Sequence, residues 1–420
     1  MWIRCALLLL LLGAACAPSN GSDDGDAGTE TGTSDGACEP NLDTNWVGCD
    51  EGAPCVSESA DLGNPGPWIQ RPLAGSFFGA GNVDVVRAGN GAGELQVVRD
   101  VFGAREISTL ALDGEAFHDG ATRVRIDDDD LDDVAVILEG PYALRLFLGS
   151  SDSGLESHAT IPVAFGATPA DVGIRGADID KDTELDFVLV AWSAAGSEVV
   201  AWTSGTGDFT TSSFSVLAYT VDRRASERLA TADFDGDGDL DLAFPTIEGT
   251  QVARGLGDGS FEDWAMLPAL EHYSLATAIL DGTTFLLAAT GDALVVSHLE
   301  GGEWSTQSIA FDWASCPSET PGPEDAKLRW PGQLVVRDSR VLVLQDQNPI
   351  IGGEREAALA LHDIQLAADG AHSLTGSHAL SWTYGGCCGF DWLVDPGEGP
   401  LYVQVLDGEH HEVAGMLDPG

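Results

Sequence analysis

An all-β chain built from repeated antiparallel sheets is what this sequence predicts, on three observations. Short apolar runs rich in β-branched residues recur along the chain, among them DVAVIL, DFVLVAW and DLAF, and each is too short for a helix. The runs return at a spacing of roughly fifty residues, the period of a repeat architecture. The 52 glycines and 19 prolines in 420 residues supply the turns that many short strands need.

Composition limits the function. The chain carries 68 acidic against 19 basic residues, a formal net charge of -49. Such a balance repels phosphate backbones and anionic lipid, which excludes nucleic acid as a partner and favours cations. The charge does not imply disorder, because 44% of residues are hydrophobic and a large core can be buried.

The first residues read MWIRCALLLLLLGAAC, with Arg4, six leucines from Leu7 to Leu12, and small residues before Cys16. This has the layout of an export signal, and its apolar run is too short to span a bilayer. The small residues followed by Cys16 resemble the lipobox of bacterial lipoproteins, although Gly13 stands where Leu is usual. The resemblance implies cleavage before Cys16, lipidation of its sulfur and, with Ala17 next, anchoring in the outer membrane of a Gram-negative cell. An ordinary cleaved signal with an incidental cysteine is the alternative. Four segments follow: 1–15 as signal peptide, 16–37 as an acidic tether, 38–63 as a cysteine-containing segment, and 64–420 as the repeats. GTSDG within the tether formally matches a nucleophile elbow but lacks the strand and helix that motif needs.

Three aspartate ladders precede the apolar runs. The richest is DFDGDGDLDLAF, with Asp233, Asp235, Asp237, Asp239 and Asp241 and a glycine, Gly238, at its sixth position. The second along the chain, DIDKDTELDFVLV, places Asp178, Asp180, Asp182 and Asp186 in the same phase, with Thr183 where the richest has Gly238. The first along the chain, RIDDDDLDDVAVI, offers Asp127, Asp129 and Asp133 but opens on Arg125, which cannot ligate a cation; Asp128, Asp130 or Asp132 are candidate substitutes. Carboxylates at positions 1, 3, 5 and 9 suit Ca²⁺, a hard cation that takes about six to eight oxygens. An EF-hand shares the opening but needs Glu at position 12, where Phe244 stands, and flanking helices. Up to three Ca²⁺ sites are expected, best in the Asp233–Asp241 loop, with Thr183 straining the second loop if its φ is positive.

This pattern resembles the FG-GAP and VCBS repeats of integrin-α-like β-propellers, in which such a loop joins two strands of a blade. GLGDGSF at 255–261 is similar to the turn that follows in those repeats, and GTGDF at 205–209 is a weaker copy. Aligned on Asp133, Asp186 and Asp241, one further phase falls at Asp84, which has lost its ladder, and later ones near Phe285, Val341 and Tyr402. Seven phases predict a seven-bladed propeller, with six or eight blades also compatible with the spacing.

Beyond Cys5 and Cys16, six cysteines remain: Cys38, Cys49, Cys55, Cys316, Cys387 and Cys388. An even number in an exported chain suggests disulfides, whose connectivity the sequence leaves open; a zinc site is disfavoured because no C-x-x-C spacing occurs among the first three. Trp382, Tyr384, Phe390 and Trp392 surround the vicinal pair and are either blade packing or a recognition surface. No HExxH, P-loop or credible nucleophile elbow is present in the repeats, and His410-His411-Glu412 lacks the second histidine of a zincin. The sequence therefore predicts a calcium-stabilised lipoprotein that binds protein or glycan without catalysis. The competing expectation is a polysaccharide lyase or hydrolase, since certain rhamnogalacturonan lyases use similar calcium-bearing propellers.

Overall fold

In a computed structural model, the described residues lie between 55 and 418. The larger stretches outside them are 1–54, 64–71, 215–228, 268–273, 312–332, 384–390 and 407–411. Cys16, Cys38, Cys49, Cys316, Cys387 and Cys388 fall in those stretches, as do the signal and the tether. The described residues are all-β and form small antiparallel sheets; none of their segments is a helix long and apolar enough to cross a membrane.

The first strand among the described residues is β1 (Cys55–Gly63), whose partner comes from the last sheet. The first complete sheet holds β2 (Leu73–Gly75), β3 (Asp84–Ala88), β4 (Glu94–Arg99) and β5 (Glu106–Ala111) in chain order. The second holds β6 (Glu115–Val124), β7 (Asp133–Glu139), β8 (Ala143–Leu148) and β9 (Glu156–Pro162). The third holds β10 (Asp171–Ala177), β11 (Asp186–Ser193), β12 (Gly196–Gly205) and β13 (Asp208–Phe214). The fourth holds β14 (Ala230–Ala232), β15 (Asp241–Thr246), β16 (Gly249–Gly255) and β17 (Phe261–Leu267). The fifth holds β18 (Ser274–Leu280), β19 (Thr283–Ala289), β20 (Ala293–Glu300) and β21 (Glu303–Ala310).

The sixth sheet runs β22 (Gln333–Arg337), β23 (Arg340–Gln347), β25 (Glu354–Gln365), β26 (Ser373–Thr383), with the short β24 (Ile350–Ile351) folded against the start of β25. In the seventh, β27 (Asp391–Val394), β28 (Leu401–Leu406) and β29 (Glu412–Asp418) are completed by β1, which pairs antiparallel with β29. Residues 55–63, set apart from the repeats in the sequence, are thus a strand of the last sheet.

Each phase found in the sequence falls in the second strand of its sheet. Asp84, Asp133, Asp186 and Asp241 are the first residues of β3, β7, β11 and β15, while Phe285, Val341 and Tyr402 lie in β19, β23 and β28. β7, β11 and β15 are buried on both faces, which is why they read as continuous apolar runs rather than alternating ones. Their side chains fill the spaces between neighbouring sheets. Ile137 and Leu144 pack with Ile174 and Phe187, and Val188 and Val190 pack with Leu242 and Phe244. First strands touch in succession, β2 with β6, β6 with β10, β10 with β14, β14 with β18, β18 with β22 and β22 with β27.

The link between first and second strands takes two forms. In the first four sheets it spans eight residues, 76–83, 125–132, 178–185 and 233–240. In the fifth and sixth it shrinks to two, Asp281-Gly282 and Asp338-Ser339. Asp281 and Gly282 both have positive φ, the conformation that lets a two-residue hairpin follow the twist of its strands.

Every long link ends on a fully buried aspartate that bonds to backbone. Asp133 accepts from the amides of Ile126 (2.5 Å) and Gly149 (2.8 Å), and Asp241 from those of Phe234 (2.8 Å) and Gly255 (2.9 Å). Asp186 accepts from Ile179 (2.8 Å) and Asp180 (3.3 Å), and Asp84 from Phe78 (3.0 Å) and Asp100 (2.9 Å). In three of the four sheets the carboxylate therefore ties the start of its loop to the far end of the third strand. Replacing Asp84 by Ala leaves two buried N–H groups without acceptors and should cost about 2–4 kcal/mol. Urea unfolding checks this, and the loss should be the same with and without a chelator, since this loop holds no ladder.

Candidate metal centre

The second and third sequence ladders are the links of the third and fourth sheets, and each loop is shaped by its own aspartates. In the richest loop, Asp233 accepts from the amides of Gly236 (2.7 Å) and Gly238 (2.9 Å), Asp235 from Asp237 (3.2 Å), and Asp237 from Asp239 (2.8 Å). The preceding loop repeats the scheme. Asp178 accepts from Thr183 (3.2 Å), Asp180 from Asp182 (3.2 Å), and Asp182 from Glu184 (2.9 Å). Gly236 and Gly238 have φ of 78° and 88°, and Lys181 and Thr183, which occupy their places one sheet earlier, have φ of 62° and 74°. The strain expected at Thr183 is present, and Lys181 adds a second strained position that the sequence reading did not single out.

These turns bring carboxylates together. Asp233, Asp235 and Asp241 form one group, and Asp178, Asp180 and Asp186 another, each with one ligand oxygen per residue within 4.8 Å of the others. Both groups consist of positions 1, 3 and 9 of the ladder. An all-oxygen, anionic donor set of this kind suits a hard divalent cation. Two features show that charge compensation is incomplete in these loops. Asp178 Oδ1 is buried and has no hydrogen-bond partner among the described residues. Burial, opposed by bonds from Phe234 and Gly255 and reinforced by Asp235 and Asp237, pushes the Asp241 carboxyl up to about 6. Burial and the neighbouring Asp182 likewise raise Asp180.

The remaining ladder residues go elsewhere. Asp182 and Asp237 stand at position 5 and accept amides of their own loops, outside the converging groups. Asp239 forms an ion pair with Lys181, which reaches across from the neighbouring loop; that contact and the adjacent Asp237 and Asp233 raise the lysine's pKa. Asp235 is met by Arg254 at 2.6 Å, and the guanidinium stacks over Trp264 at 4.7 Å. Trp264 and Phe234 both pack on Trp304 of the next sheet, so the loop is braced from the side. Lys181 and Arg254 are therefore internal counter-cations of the best ladder. Lys181 was visible in the sequence as one of only two lysines, but nothing in a linear pattern places it on the adjacent repeat.

The first ladder does not assemble a comparable group. Asp127, Asp129 and Asp133 are not brought within the same reach of one another, and Asp130 lacks the left-handed backbone found at Gly238 and Thr183. Arg125 at position 1 removes a carboxylate. Asp132, a candidate substitute, is instead buried, accepts the Ser76 amide at 2.8 Å, and lies 3.5 Å from Arg125 and 3.9 Å from Arg123. It serves as a link to the preceding sheet, and of the up to three sites expected, two carboxylate groups are assembled among the described residues. Asp128 lies outside the described residues.

The glycine-rich motif GLGDGSF is the turn between β16 and β17, the third and fourth strands of the fourth sheet. Leu256 donates to the Ser260 carbonyl at 3.0 Å across GLGDGSF, with Gly257 and Gly259 at φ of 69° and 81°. A Cβ on Gly255 would fall on the Leu240 carbonyl, and one on Gly149 would stand 2.5 Å from the Asp132 carbonyl oxygen. Glycine there lets the long link and the end of the third strand approach closely enough for the buried aspartate to join them.

No family model and no curated protein matches this chain. Among solved structures, BBS1N in complex with ARL6DN, soaked with lead, is similar at 10% identity, covering 89% of this chain and 98% of that one with a TM-score of 0.53. An Agrocybe aegerita lectin that recognises non-reducing terminal N-acetylglucosamine is 15% identical over 83% and 88% of the two chains, with a TM-score of 0.48. The dihydro-heme d1 dehydrogenase NirN is 15% identical over 84% and 67%, with a TM-score of 0.46. The likeness to BBS1N concerns the fold alone.

Strain and charge in the second loop make a specific expectation. Changing Thr183 to Gly should stabilise the metal-free protein by about 0.5–1 kcal/mol, the left-handed penalty less the added chain entropy of glycine. Urea unfolding with chelator present measures it, and an unchanged or lowered midpoint would show that the left-handed turn carries no cost.

Proposed function

We propose that this chain is a seven-bladed β-propeller of the FG-GAP/VCBS type, carried as a lipoprotein on Cys16 at the outer membrane. It binds Ca²⁺ in two loops and presents a non-catalytic surface for protein or glycan. The observation that carries the calcium reading is the orphaned, buried Asp178 Oδ1 inside a converging carboxylate group. A buried acceptor without a partner costs about 1–3 kcal/mol, which a bound cation relieves. Asp178, Asp180 and Asp186 would hold one ion, and Asp233, Asp235 and Asp241 the other.

The propeller reading rests on seven small sheets among the described residues, on first strands that touch in succession, and on a last sheet completed by β1. The scaffold reading rests on where the acidic groups are: the aspartates of both candidate centres are tied into the hairpins of the sheets by backbone bonds. That position suits a structural ion. Cys38, Cys49, Cys55, Cys316, Cys387 and Cys388 are assigned to disulfides on the exported location.

Calcium should raise the melting temperature of the full chain and a chelator should lower it, with Asp178→Asn and Asp235→Asn each removing part of the shift. The pH dependence has a definite sign. Asp241 is raised from 3.8 to about 6 without a cation, so the folded metal-free state holds a proton that the unfolded chain releases. Its contribution to metal-free stability is full below about 4 and is lost as pH rises through 6. Calcium affinity should move the other way and weaken as pH falls below 6, where the proton competes for Asp241. Calorimetric titration at pH 5 and pH 7 reads this directly, and equal affinities would contradict it. Separately, incubation of the calcium-loaded protein with acidic and neutral polysaccharides should give no depolymerisation, while arrays of glycans and surface proteins should give binding; products lost on changing one carboxylate would overturn the scaffold.

A further inference from the structure

The two converging carboxylate groups differ in the basic side chains set on them. In the Asp233–Asp241 loop both oxygens of Asp235 are engaged: Oδ1 accepts the Asp237 amide at 3.2 Å, and Oδ2 lies 2.6 Å from Arg254 Nη2. The Asp235 side chain is only 10% exposed, so this pair is screened by water and salt less than a surface pair is. The guanidinium is braced from its other side by Trp264, over whose ring it lies at 4.7 Å. Lys181 pairs with Asp239 of the same loop. Two cations of the protein itself therefore stand on this loop before any metal ion arrives.

The Asp178–Asp186 loop has no such cover. Neither Asp178 nor Asp180 is paired with a basic side chain among the described residues, and Asp178 Oδ1 is buried without a hydrogen-bond partner. The loop's own basic residue, Lys181, is turned to the neighbouring loop. Lys181 and Thr183 hold left-handed backbone here, but that strain is present with or without an ion and does not set its affinity. An entering divalent cation meets uncompensated carboxylates in this loop. In the other it must draw Asp235 from a guanidinium and approach two fixed positive charges, in a setting where Coulomb repulsion is weakly screened.

We propose that Arg254 is an internal competitor for the cation, so that calcium fills the Asp178–Asp186 loop first and the richer Asp233–Asp241 ladder only at higher concentration, as Arg254 releases Asp235. This rests on the calcium reading above and adds to it an order of filling and the residue that sets the order. It reverses the ranking that a count of ladder carboxylates predicts.

The test is calorimetric titration of the chelator-treated full chain with calcium chloride at pH 7, each loop isolated by one substitution in the other. Asp233→Asn leaves the loop of Asp178 to be read, and Asp178→Asn leaves that of Asp233. The first variant should bind calcium about tenfold more tightly than the second, or better. Added to Asp178→Asn, Arg254→Met should tighten binding about fivefold or more, and Arg254→Lys, which keeps the charge, should tighten it less. Added to Asp233→Asn, Arg254→Met should leave the affinity unchanged. In the otherwise unaltered chain Arg254→Met should tighten the weaker of two calcium sites and leave the stronger, a measurement that needs neither isolating variant. Circular dichroism shows whether each variant is folded; if Arg254→Met is not, Lys181→Met, which removes the other cation from the same loop, takes its place and should also tighten the weaker site. Binding in the Asp233–Asp241 loop as tight as in its neighbour, or unmoved by removal of the competing charge, overturns the inference while the calcium reading stands. No calcium bound by the parent or by either isolating variant overturns both.

Discussion

The repeat depends on one buried carboxylate. Asp84, Asp133, Asp186 and Asp241 each stand at the first residue of a second strand, fully shielded from water, and accept bonds from backbone amides rather than from basic side chains. Taking a carboxylate out of water is costly, and burial raises the pKa of Asp84, Asp133 and Asp241 in spite of these bonds. The position holds because the alternative is worse. An eight-residue link leaves amides at its own start and at the end of the third strand facing inward, and an orphaned buried donor costs as much as the bond it lacks. Where the link is two residues long, as at Asp281-Gly282, the hairpin closes on itself and the buried aspartate is absent, with Thr283 opening the strand.

That distinction separates a structural role from a ligand role within one motif. Asp84 keeps the long link and the buried aspartate although its loop has no other acidic residue, so the ninth-position aspartate of a ladder is first a fastening for the hairpin. The carboxylates at positions 1 and 3 are then added in two neighbouring sheets, and their convergence on Asp186 and Asp241 follows from the fastening already being there. The same frame explains why the first ladder fails to converge despite its density of aspartates. Its eighth residue, Asp132, is drawn to Ser76 and to Arg123 and Arg125, and Asp130 does not take the left-handed backbone of Gly238 and Thr183.

Much of this was legible in the sequence because it is local. Apolar runs at a regular spacing located the second strand of every sheet, down to Val341 and Tyr402, where no ladder marks them. GLGDGSF located a turn, and Thr183 in place of glycine located backbone strain. What was not legible is non-local. The pairing of β1 with β29 joins residues more than 300 positions apart and leaves no mark in either segment. Lys181 reads as a defect in its own ladder until the adjacent loop is placed beside it, where its ammonium meets Asp239. Arg254 looks like a strand residue, and only the fold sets it between Asp235 and the face of Trp264.

The acidic loops and the glycine turns also share an edge of each sheet. In an antiparallel sheet the link between first and second strands and the link between third and fourth strands emerge at the same end, while the link between second and third emerges at the other. The bond from the Gly255 amide to Asp241 is the direct mark of that adjacency. Asp233–Asp239 and Asp258 therefore crowd one end of the fourth sheet, and Lys181 brings the end of the third sheet alongside. A cation there would neutralise charge on the edge that is densest in carboxylates, and it would do so between strands already locked by a buried aspartate. The ordering matters: the fastening is a property of the hairpin without metal, so an ion bound on it adds stability to a sheet that already has its register, and loss of the ion should loosen one end of the sheet before it unravels the whole.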